Sequence, residues 1–272
     1  MKQIKMIATT LLTGILALLI SGNAVASWSW YLTGDTGKVW SVSKSGSGTS
    51  SGMLPPGVTA TGWSNANASS STSTASPYGT GNLVQRQVEI YGSSGIGVWS
   101  PTDSGSGGTH STDNNYHIDS VLLDFGGTSV TLDQVRFGWV ADSDFSVAAY
   151  TGGGSTDLAS MGYADLAGNG WATIGSYLNN GTTSTTNINA GDISSSYWLI
   201  SALNPSLDGP SDRGYYGNDK FKMKFLGGSK PDRPPVGVPE PSTLLLLGGA
   251  LLVVVMRRRL LQGRNGLCVV EA

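Results

Sequence analysis

The sequence predicts an all-β domain, folded as a single β-sandwich of jelly-roll type or as a meander, with long Ser/Gly-rich loops. An N-terminal signal peptide and a C-terminal transmembrane helix are expected to flank it. Three observations lead there. Short stretches alternate apolar and polar side chains, the period of a half-buried strand. Three of them follow one another at roughly ten-residue spacing in the middle of the chain, as in sandwiches and barrels. Tracts of Ser, Gly, Thr and Asn separate them, offering little to bury. Helix is expected only at the termini and over Asp157 to Leu166.

The chain opens with Lys2 and Lys5, an apolar stretch from Met6 to Ile20, and Ala24-Val25-Ala26. A basic start, an apolar middle and a small-x-small end make a secretory signal peptide over residues 1–26. The exported domain is then expected over 27–226. SWSWYLTGDTGKVW reads as two short strands about a turn at Thr33 to Gly37, and Val58 to Ser64 as a third. From Leu83, Val84, Val88 and Ile90 share one face opposite Gln85, Gln87 and Glu89. Val98-Trp99 is short, and a polar loop runs from Asp103 to His117.

The centre is His117 to Gly152. Val121, Leu123 and Phe125 alternate inward before the Gly126-Gly127 turn. Val130 and Leu132 have one parity, and Val135, Phe137 and Trp139 the other, so a bulge or bend is expected at Asp133-Gln134. Phe145, Val147 and Ala149 form the next strand, and Trp171 to Leu178 another. YWLISAL, 197–203, is apolar at both parities and so is expected to be covered on both faces. In Lys220 to Leu226, Phe221, Met223 and Phe225 are expected inside. Lys220, Lys222 and Lys224 are expected on a solvent face near a sheet edge. Residues 227–238, with Pro231, Pro234 and Pro235, read as a stiff spacer.

The exported part with its spacer, residues 27–238, carries 10 basic against 16 acidic side chains, a net charge of −6 that the basic signal and tail conceal. Such a balance argues against a nucleic-acid partner and against docking on anionic lipid. The single cysteine is Cys268, so no disulfide can form in the domain. Catalytic chemistry is sparse. His110 and His117 are the only histidines, and with Asp113 and Asp119 they make at most a metal pair. No serine lies in G-x-S-x-G, and Glu89 is the sole glutamate of the exported part. No cofactor is expected beyond calcium, for which Asp142 and Asp144 in DSD are the candidates. The rest of an EF-hand loop is missing, since its sixth position is Val147 and its twelfth Gly153. All eight tryptophans fall in the exported part. Trp139 and Trp198 sit in apolar strands and are expected in the core. Trp28, Trp30, Trp40 and Trp63 lie near polar loops and are the candidates for stacking on sugars.

The tail carries the strongest signal. Pro239, Glu240 and Pro241 form a rigid extended triplet with one charge. Thirteen residues without a charge follow, Leu244 to Met256, then Arg257, Arg258 and Arg259, which fix the cytoplasmic side. Thirteen helical residues span about 20 Å, short of a hydrocarbon core of roughly 30 Å, so a membrane segment over 243–256 suits a transient anchor. In order and position, 239–259 resembles the PEP-CTERM sorting signal of Gram-negative bacteria. That resemblance implies export by the general secretion machinery and transient inner-membrane anchoring. It further implies processing by exosortase, a membrane-embedded protease, and delivery to the surface or matrix. Such tails usually stop soon after the basic cluster, whereas here LLQGRNGLCVVEA follows as a cytoplasmic tail, 260–272. The run DFGGTSVTLDQVRFGW-x-x-DSDFSV-x-x-Y, with SSYWLISAL and DKFKMKFL, is similar to a group of exosortase-dependent surface proteins that is all-β and has no assigned activity. The expectation is a non-catalytic surface or extracellular-matrix protein of the biofilm. The alternatives are a carbohydrate-binding adhesin of the exopolysaccharide matrix and an enzyme acting on that polymer.

Overall fold

The computed structural model describes residues 27–48, 54–65, 81–100, 110–115, 117–178, 183–208 and 219–231. The expected signal peptide, the sorting tail and the far end of the expected spacer lie outside the described residues. Every strand pair is antiparallel.

The strands form one continuous antiparallel sheet folded into two facing halves, a first and a second sheet. The first is organised on β16 (Lys220–Ser229), which pairs along one side with β10 (Val130–Asp142). Its other side pairs in turn with β1 (Ser27–Tyr31), β7 (Ile96–Trp99) and β8 (Thr112–Asp113). The second sheet runs β12 (Trp171–Tyr177), β11 (Phe145–Tyr150), β15 (Tyr197–Ala202), β9 (Asp119–Asp124) and β5 (Val58–Ser64). β6 (Val84–Ile90) belongs to both: Val84 to Arg86 pair with β5, and Gln87 to Ile90 with β7. The consecutive strands β9, β10 and β11 alternate between sheets. A meander would keep them side by side, so the fold is a sandwich.

The core lies between the sheets. Phe137 of β10 and Phe221 of β16 have ring centres 4.2 Å apart, and Phe145 of β11 meets Phe137 edge-on at 5.1 Å. Each such pair adds about 0.5–1.5 kcal/mol beyond the burial of its area. β15 is apolar at both parities because both its faces are covered. Trp198, Ile200 and Ala202 face the inter-sheet core. Leu199 packs outward with Ala148, Met161, Tyr163, Leu166 and Trp171. The outer cover comes from the segment 157–169, which forms three 3₁₀ turns where a helical turn or two was expected. The parity change in β10 is a register shift, with Leu132 opposite Gly228 and Gln134 opposite Gly227. The unpaired Asp133 turns the strand over, so that Val130, Leu132, Val135 and Phe137 are all buried.

β16 corrects three expectations. It is the most connected strand of its sheet, not an edge. Its alternation breaks at Lys224, where β10 has no matching residue: Arg136 lies opposite Phe225 and Phe137 opposite Met223. Leu226 therefore turns inward, and Phe225 moves to the outer face, against Tyr31 at 5.2 Å and under the Arg136 guanidinium at 5.0 Å. Lys222 is buried, its Nζ 3.4 Å from the Tyr91 ring centre and 4.9 Å from that of Trp139. Finally, β16 continues to Ser229, with Gly227, Gly228 and Ser229 paired to β1. The spacer cannot begin at 227.

Candidate functional site

Asp142 closes β10, Ser143 and Asp144 turn the chain, and Phe145 opens β11. Asp142 stands opposite Lys220 in the ladder, so Asp219, just ahead of β16, arrives beside this turn. Asp113 of β8 pairs with Lys220 from the other side, which brings Asn114 against Asp219. Asn114 and Asp219 then lock: the Asp219 backbone N–H donates to Asn114 Oδ1 at 3.1 Å, and Asn114 Nδ2 donates to Asp219 Oδ2. Nδ2 also donates to the Leu203 carbonyl at 3.3 Å, while the Leu203 N–H donates to the Asp144 carbonyl at 3.0 Å. Four separate segments thus meet at one point.

Asp142, Asp144 and Asp219 each bring a carboxylate oxygen within 4.8 Å of the others. Among the described residues this is the one convergent group of three or more metal-ligating side chains. Asp219 is fully buried, and its Oδ1 has no hydrogen-bond partner. Burial, then the charges of Asp144 and Asp142, push its carboxyl up to about 8, against hydrogen bonds with Asn114 and the Leu203 backbone. Three carboxylates this close repel one another, and a proton or a cation among them relieves that repulsion. An all-oxygen donor set suits a hard cation such as calcium. The sequence marks Asp142 and Asp144. Asp219 carries no local signal and is joined to them only by the register of β10 and β16.

The other expected residues are placed differently. Trp28, Trp30 and Trp63 are 2%, 0% and 8% exposed and belong to the core, which removes them as sugar-stacking surfaces. The Trp30 indole N–H donates to the Pro56 carbonyl at 2.8 Å, and its ring meets Phe125 at 4.9 Å. Of the four, only Trp40 is open, at 59%. Trp198 is buried as expected, whereas Trp139 is half-buried on the outer face beside Lys222. Neither histidine belongs to a convergent group of three or more ligating side chains among the described residues. His110 Nε2 lies 3.6 Å from Glu89 Oε2. His117 is buried, and neither of its ring nitrogens has a partner. Pro239, Glu240, Pro241 and Arg257 to Arg259 lie outside the described residues. Among the described residues, no helix is long and apolar enough to cross a membrane.

Comparison with known proteins adds one match: residues 237–259 fit the PEP-CTERM protein-sorting motif. No curated protein and no solved structure matches the chain. The motif is that of an exported protein whose tail is recognised by exosortase and processed at the membrane.

Proposed function

We propose that this is a non-catalytic surface or matrix protein, in which the β-sandwich is the cargo and the tail is its release tag. The sorting motif at 237–259 carries the reading. β16 ends at Ser229, so the segment 230–236 is all that separates the folded cargo from the motif. Pro239-Glu240-Pro241 is the recognition element, the apolar run presents it, and Arg257 to Arg259 hold its orientation. The general secretion machinery delivers the chain to the inner membrane. Exosortase then frees it for the cell surface or the exopolysaccharide matrix.

The placement of the polar residues supports a non-catalytic role. Glu89, the one glutamate of the exported part, is engaged by His110 and by Lys38 Nζ at 3.9 Å. A carbohydrate-binding adhesin would have to rely on Trp40, the other three candidate rings being buried. The test is the mass and membrane fraction of the protein in its own host. The wild type should lose 244–259 and leave the membrane, and the Pro239→Ala/Glu240→Ala double variant should stay uncut in it. A wild type that keeps its tail at steady state, indistinguishable from the double variant, would overturn the reading.

A further inference from the structure

We infer that Asp142, Asp144 and Asp219 form a binding site for a hard divalent cation of the calcium class, at the end of the sandwich opposite Ser229. Two independent observations carry this. The first is convergence: three carboxylates from two distant segments offer oxygens within 4.8 Å of one another. The second is the state of Asp219 itself. It is completely buried, one carboxylate oxygen is held by Asn114, the Leu203 backbone also acts on the carboxyl, and Oδ1 makes no hydrogen bond of its own. A buried acceptor with no donor costs free energy unless something satisfies it. Here the charges of two more carboxylates, Asp144 and Asp142, act on it and raise that cost. A bound cation gives Asp219 Oδ1 a partner and offsets the mutual repulsion of the three carboxylates.

The chemistry selects the ion. The donors are carboxylate oxygens, with no histidine or cysteine among them, which disfavours zinc and copper. Calcium accepts irregular sets of oxygen ligands, whereas magnesium demands a near-octahedral arrangement and gives up its waters reluctantly. The second shell is built: Asn114 orients the Asp219 carboxylate, and the Ser143 N–H donates to Asp142 Oδ1 at 2.8 Å. Ligands from both β10–β11 and the start of β16 let the ion tie the two sheets together. Without disulfides, an exported domain has few other ways to gain such a cross-link.

The test uses the full-length chain in detergent, stripped with a chelator and titrated with CaCl2 by calorimetry, with thermal melting in parallel. One calcium per chain is expected, with Kd of about 10⁻⁴–10⁻³ M as in extracellular modules. The melting temperature should rise with calcium and fall back with chelator. Asp142→Asn and Asp144→Asn, at half-buried positions, should fold and bind at least about tenfold more weakly, since affinity follows ligand charge. Asp35→Asn, at an exposed position away from the site, should behave as wild type. Asp219→Asn should melt at a temperature that no longer responds to calcium. Absence of both binding heat and melting shift in the wild type would overturn the inference. So would Asp142→Asn and Asp144→Asn variants that bind calcium as the wild type does.

Discussion

Lys222 and His117 are buried polar side chains whose settings the local sequence hides. Lys222 sits at an alternating position among apolar residues, and alternation places it in water. Its actual neighbours, Tyr91 and Trp139, come from other parts of the chain and close over the ammonium as two π faces. Burial holds its pKa below the ordinary value, with the Glu89 charge acting in the opposite direction. Lys222→Ala removes this packing and should destabilise the domain by about 1–3 kcal/mol, read from denaturant midpoints. An exposed lysine would stay within about 0.5 kcal/mol. His117 makes a pH prediction. Burial first, and the Arg86 guanidinium second, hold its imidazole below the usual 6.5. Arg86 in turn feels the Asp119 charge. The unfolded chain therefore takes up the proton first as pH falls. The stability from neutral His117 is present above pH 6.5 and is lost as the medium passes down through the folded-state value. His117→Leu should flatten the acid side of the stability profile between about pH 7 and 5. An unchanged slope would show that other groups govern it.

At the scale of elements, β10 and β16 show what alternation reveals and where it stops. The parity change at Asp133 was legible because hydrophobic residues flank it on both sides, so the bulge was forced by the pattern. The second bulge, at Lys224, was not legible: Phe225 continues the apolar alternation although it faces outward, and only the ladder with β10 exposes the slip. The end of β16 was hidden for a different reason. Gly227-Gly228 reads by composition as a linker. Gly228 is a glycine within a strand where the neighbouring backbone is too close for a side chain: a Cβ there would lie 2.7 Å from the Thr131 carbonyl oxygen. Gly228→Val should therefore destabilise by about 1–3 kcal/mol through overpacking, although a linker would tolerate it. Phe221→Ala should cost about 3–5 kcal/mol, and Phe225→Ala well below that, since its ring is half-exposed. Equal losses from the two phenylalanines would put the bulge in the wrong place. Of the carboxylate site, the paired aspartates of the turn were readable as a local motif. Asp219 was not, because the only thing connecting it to them is strand register.

For the whole molecule, the boundary of the folded cargo follows from β16. A chain ending after Pro231 retains every pair of the β1–β16 ladder, whereas one ending after Leu226 loses three of them, at Gly227, Gly228 and Ser229. The longer form should melt cooperatively like the natural domain. The shorter should melt lower and resist proteolysis less, as measured by limited digestion of both. Equal behaviour would mean that the last three residues of β16 contribute nothing.

The pairing of Ser27 with Ser229 also sets how the domain bears mechanical load. Pulling on both chain ends at once would open the β1–β16 ladder one rung after another, like a zipper, at low force. Pulling on Ser229 alone sends the load along the axis of β16, which is gripped by β1 on one flank and β10 on the other. The rungs are then sheared together. A domain held only at the C-terminal end of β16 would thus be loaded in its mechanically strong direction, with the force borne by the most extensively paired strand in the fold.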